Sequence, residues 1–227
     1  MNLLNIIKAN LFIQNLASSI ISLIPAYLEF SISKYLAIKK AMLITAQDDT
    51  RGSYLEFGVF TGSSFNYAMK VNKRIEKLGY KNMDCEFVGF DSFKGFGPIK
   101  KDDEHPNYKD NVFSVNEEKV LRNIEKCAKG QKYRIIKGFY EDTIKNKTTK
   151  DLKIDKAKII MIDCDLKEPA TLALAFVKPS FQEGTIILFD DYVFFKGSKD
   201  KGEYGAFADF KKKHPEILFR RIFDYGY

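Results

Sequence analysis

The chain has two histidines and three cysteines in 227 residues, and no repeat or low-complexity linker. His105 and His214 leave little room for imidazole chemistry. Neither stands in a Ser-His-Asp order with a nucleophile elbow, which sets hydrolase chemistry aside. His105 is expected to be an exposed loop residue and His214 part of a helix C-terminus. Cys85, Cys127 and Cys164 show no paired spacing, so a disulfide framework is not indicated and a reduced cytoplasm fits. Formal charge is also missing between Lys8 and Glu29, which raises a membrane segment. Gln14, Asn15, Ser18, Ser19 and Ser22 interrupt that stretch and Pro25 closes it, while the basic start and small-residue cleavage site of a signal peptide are not convincing. Residues 1–50 are therefore expected to be a helical cap, not a span. Such a cap packs on the core, covers a bound ligand or pairs two copies as a homodimer; an interfacial membrane helix is the lesser alternative.

What remains, residues 51–227, is long enough for one doubly wound domain. The whole chain's net charge of +7 is spread over scattered lysines with no nucleic-acid motif, so it reads as a solvated surface that would also steer an anionic ligand. Apolar runs alternate with helical stretches near 62–78, 116–129, 169–178 and 203–213, the pattern of a mostly parallel α/β sheet. Tyr133–Gly138 adds a strand, and Ile217–Phe223 can make one more.

Three constellations carry chemistry. In Tyr54-Leu-Glu-Phe-Gly-Val-Phe-Thr-Gly-Ser-Ser64 a buried strand breaks into a glycine turn that opens a helix. Gly58 and Gly62 allow a tight turn and close backbone approach, and the first helical N–H groups face whatever sits above. Phe60 stands where dinucleotide enzymes have their middle glycine, which argues against a pyrophosphate on the turn and for a less demanding cofactor. Second, Glu86–Asp91 ends in a carboxylate suited to a ribose diol. Third, Lys158–Asp165 ends in Asp163-Cys164-Asp165, and Thr185–Asp191 ends in Asp190-Asp191. Ligands of parallel sheets bind beyond the strands' carboxyl ends, so four aspartates converge on one pocket. They would repel and resist ionisation unless a hard divalent cation, Mg2+ or Mn2+, joined them. Among those carboxylates Cys164 should stay a thiol.

The order E-F-G-V-F-T-G, G-F-D-S-F-K-G-F, G-F-Y-E-D-T, I-D-C-D-L-K-E and L-F-D-D-Y, from about Tyr54 to His214, resembles the macrocin O-methyltransferase family. The resemblance implies a Rossmann-like class I fold that uses S-adenosylmethionine (SAM) and a metal to methylate a hydroxyl of a sugar or related small bacterial metabolite. It implies Asp163, Asp190 and Asp191 as metal ligands and Asp165 as general base. Glu56, Gly58, Thr61, Gly62, Ser63, Asp91 and Ser92 are the SAM candidates, with Gly138 and Phe139 bordering the adenine. Cys164, Lys167 and Pro169-Ala170 depart from the family's glycine, aromatic and Ser-Thr, and these departures touch the acceptor side. Two rival readings are an NAD(P)-dependent oxidoreductase, opposed by Phe60, and a non-catalytic methyltransferase-like partner subunit, opposed by the intact aspartates.

Overall fold

The computed structural model describes residues 10–80, 84–110 and 112–225. Two helices precede the sheet: α1 (Leu11–Ser22), capped by the Asn10 side chain on the Phe12 and Ile13 N–H groups, and α2 (Ala26–Gln47). Pro25 separates them, because it has no N–H to donate to α1 and biases the residue before it away from helix. Then follow β1 (Ser53–Phe57), α3 (Ser63–Lys77), β2 (Phe87–Asp91), α4 (Glu117–Ala128), β3 (Tyr133–Lys137), β4 (Ala157–Ile162), α5 (Lys167–Val177), β5 (Ile186–Phe189) and α6 (Gly202–Lys213). The described strands form one parallel sheet in the order β3-β2-β1-β4-β5.

Strand alternation divides the core into two layers. Tyr54 of β1 and Ile159 and Met161 of β4 pack with α2, α3 and α4 through Ile38, Ala41, Met42, Phe65, Met69 and Ile124. Leu55 and Phe57 of β1, with Ile160 and Ile162, pack on the opposite face with α5 and α6 through Leu174, Phe176, Phe207 and Phe210. Both faces are covered, as an all-parallel sheet requires. The second half of α2 is thus part of the domain's own core. Its first half has no fully buried residue, and α1 has none at all. No single described helix is long and apolar enough to cross a membrane; α1 and α2 pass such a test only as a pair bent by 91°.

The expected strand at Ile217–Phe223 does not form. That segment pairs with none of the described strands and is held by side chains. Ile217 and Phe219 join the α5–α6 layer, while Phe223 and Tyr225 join the other, with the Lys40 ammonium 4.5 Å from the Phe223 ring centre. The apolar pattern of this segment therefore serves both layers in turn without extending the ladder.

Candidate active site

The sheet ladder continues one residue past each strand and lines up the residues that follow. Gly138 N–H donates to the Asp91 carbonyl, Gly58 N–H to Phe90, Asp163 N–H to Phe57 and Asp190 N–H to Ile162, all at 2.9–3.0 Å. This row opens onto a cavity of about 740 Å³ whose walls include Gly58, Phe60, Asp91, Ser92, Gly138, Phe139, Asp163, Asp165, Asp190 and Asp191. Its size falls within the range of small-molecule sites. Gly58 is required by both conformation and space: its φ is +96°, and a Cβ there would come within 1.7 Å of the Asp163 carbonyl oxygen.

Glu56, Thr61, Gly62 and Ser63 do not line the cavity. Glu56 shares the face of β1 that carries Tyr54, and it is fully buried beneath the turn. Its oxygens accept the Tyr54 hydroxyl at 2.5 Å and the Ser64 hydroxyl at 2.7 Å, so it braces the start of α3. Burial pushes its carboxyl up to about 8, against the hydrogen bonds that pull it down. Between pH 4.5 and 8 the folded protein therefore holds a proton that the unfolded chain has lost, and stability must fall as pH rises through that window. Glu56→Gln is neutral throughout. At pH 8.5 it should exceed the native protein in stability by an amount on the order of 4 kcal/mol, with the gain vanishing near pH 4.5. Urea unfolding at both pH values checks this; an equal effect at both would mean Glu56 is ionised when buried.

Asp91 ends β2, and both its oxygens already accept backbone N–H groups, Oδ2 from Phe60 at 2.7 Å and Oδ1 from Phe93 at 2.6 Å. Each oxygen retains further acceptor capacity toward the cavity. Burial pushes this carboxyl up, and the two N–H groups oppose the shift. Phe60 itself adopts φ 48°, lies at the cavity wall and meets Phe113 edge-on at 5.6 Å.

The four aspartates gather as expected. Oxygens of Asp163, Asp190 and Asp191 lie within 4.8 Å of one another. Burial, then the charge of Asp163, pushes Asp165 to about 6 and Asp190 to about 7; burial, then Asp165 and Glu203, holds Asp191 well above the usual carboxylate range. Burial and the surrounding carboxylates likewise push the Cys164 thiol up, in line with an unreactive thiol.

Three contributors were not foreseen. Lys34, on α2, places its Nζ 2.6 Å from Asp163 Oδ2 and 2.6 Å from Asp190 Oδ2. Burial opposes its charge, but the two carboxylates outweigh burial and the net shift is upward. Glu203, fully buried at the start of α6, accepts the N–H of Cys164 on Oε1 and of Asp191 on Oε2, both at 3.1 Å, and so clamps the two aspartate-bearing loops together. Tyr108, from the loop after β2, buries its hydroxyl beside Asp165 without a regular hydrogen bond.

The loop carrying Tyr108 is anchored at Asp103, whose carboxylate accepts the Lys167 and Glu168 N–H groups at 2.8 and 3.3 Å and caps α5 from a distance. His105 is not the exposed loop residue expected: it is half-buried among Tyr108, Phe194 and Phe195, with ring centres 4.5, 6.0 and 5.2 Å away. His214 follows α6 as expected. Lys167 is paired with Asp209 at 2.8 Å.

A family model described as Macrocin-O-methyltransferase (TylF) matches residues 33–216. No curated protein matches. Solved structures of similar fold include that of the O-methyltransferase NovP, 20% identical over 81% of this chain and 73% of that one, with a TM-score of 0.61. Another is the calicheamicin methyltransferase CalS11, 20% identical over 78% and 70%, with a TM-score of 0.64.

Proposed function

Because this chain belongs to the macrocin O-methyltransferase family and is an O-methyltransferase, we propose that it transfers the SAM methyl group to a hydroxyl of a sugar or related small metabolite, assisted by Mg2+ or Mn2+. The observation that carries this reading is the convergence of four aspartates from the ends of β4 and β5 on a cavity that Asp91 and the Gly58 turn also border. The donor set suits a hard divalent cation, which takes carboxylate oxygens. An ammonium already bridging two of those oxygens supports a cation position there.

Asp163, Asp190 and Asp191 would hold the metal; Asp91, with Gly58 and Ser92, would hold the nucleoside, and Gly138 and Phe139 would flank the base. When bound, the sulfonium supplies an electrophilic methyl carbon and the cation lowers the pKa of the acceptor hydroxyl. Asp165 takes the proton of that hydroxyl. Its carboxylate lines the same cavity as the three ligand aspartates, and a carboxylate within reach of the acceptor hydroxyl suits a general base. The transfer requires the acceptor oxygen behind the methyl carbon, and the Glu203 clamp would keep Asp165 and Asp191 in place for it through the Cys164 and Asp191 N–H groups.

Calorimetry with S-adenosylhomocysteine and with NADH tests the cofactor. The nucleoside thioether should bind and NADH should not, and Asp91→Ala should weaken binding by about 1.5–3 kcal/mol, the worth of charge-assisted hydrogen bonds. Binding of NADH alone would support the oxidoreductase reading, and binding of neither the partner-subunit reading.

A further inference from the structure

The first half of α2 has no fully buried residue of its own, with Tyr27, Leu28, Ile32 and Leu36 exposed, yet its Lys34 lines the cavity. From this thinly held segment Lys34 reaches into the aspartate cluster across 129 residues of sequence. Tyr35 beside it stacks on Tyr67 of α3 at 4.7 Å, so the helix is seated where the side chain reaches the cluster. The ammonium touches one oxygen of Asp163 and one of Asp190, two of the three residues whose oxygens form the cation cluster. A divalent ion bridging the same oxygens would sit about 2.0–2.6 Å from each. That position leaves no space for an ammonium in direct contact with both, and the two cations would repel at close range.

Resting on the metal reading above, we propose that Lys34 is a tethered competitor for the metal: its ammonium and a divalent cation exclude one another between Asp163 and Asp190. The cluster then always has a positive partner. Without metal, Lys34 neutralises part of the carboxylate charge and closes the first half of α2 onto the strand ends. With metal, the side chain is expelled toward solvent, which a flexible four-carbon stem allows. Metal affinity is thereby set below what three aspartates alone would give.

Two measurements test this, using Mn2+ as the probe. In the unaltered protein, an amine-reactive ester read by mass spectrometry reports whether Lys34 is accessible. Its labelling should rise several-fold on adding Mn2+ while that of the exposed Lys39 stays constant; unchanged or reduced labelling overturns the proposal. Calorimetric titration should give Lys34→Met a Kd for Mn2+ at least tenfold tighter than the native chain, with Lys34→Gln as the alternative should the methionine variant not fold. Equal or weaker Mn2+ binding in the variant overturns the competition while leaving the metal reading standing. If neither protein binds Mn2+, the metal reading itself fails and Lys34 is the permanent cation of the site.

Discussion

Asp165→Asn is expected to lower methyl transfer by about 10²–10⁴-fold, the usual contribution of a positioned general base, while leaving cofactor binding and the fold in place. The amide keeps the volume of the carboxylate and can still accept a hydrogen bond, but it cannot take up a proton at neutral pH. The backbone favours this substitution too. Asp165 stands at φ 60°, and asparagine tolerates the left-handed region better than most residues. Asp163→Asn should behave differently: as a ligand variant it should lose metal affinity, so that excess Mg2+ restores part of its activity. Comparing the two variants over a range of Mg2+ separates base from ligand. If Asp165→Asn keeps near-normal turnover, or is rescued by metal in the same way, the proton leaves by another route.

Exhaustive chelation is the second large effect. Activity should fall by roughly 10³-fold on removal of divalent ions, taking about 4 kcal/mol as the several kcal/mol a Lewis acid supplies, and should return with Mg2+ or Mn2+. Without the ion, the carboxyls of Asp165, Asp190 and Asp191 are all pushed upward and the local positive charge comes from Lys34, which touches Asp163 and Asp190 and not the proposed base. An enzyme that keeps full activity after chelation would be using these aspartates without a metal.

Much of this was legible from local pattern. Each strand announced itself as an apolar run ending in glycine or aspartate, and parallel topology then required those ends to share one edge of the sheet. Gly58, Asp91, Gly138, Asp163, Asp165, Asp190 and Asp191 meet there because that rule depends on strand direction alone. The remainder depends on tertiary contacts that leave no local mark. Lys34 reads as one more lysine on a helix, and only packing of α2 against α3 brings it to the aspartates. Glu203 reads as an acid in a first helical turn, favourable there for the helix dipole alone, yet it clamps two loops. Glu56 looked like a cofactor ligand by its place before the glycine turn, but strand alternation turns it to the Tyr54 face and away from the cavity. The tail after His214 has the composition of a strand, but its aromatic side chains are divided between both layers of the core and its backbone pairs with none of the described strands.

In the proposed mechanism Asp163, Asp190 and Asp191 hold a divalent cation at the cavity. X-ray diffraction from crystals grown with Mn2+ and S-adenosylhomocysteine, collected near the manganese edge, tests it most directly. An anomalous peak is expected at coordination distance, about 2.0–2.6 Å, from oxygens of all three aspartates, with the Lys34 ammonium displaced from Asp163 and Asp190 and the nucleoside ribose on Asp91. A bound nucleoside with no anomalous peak at those carboxylates, and Lys34 still bridging Asp163 and Asp190, would contradict it.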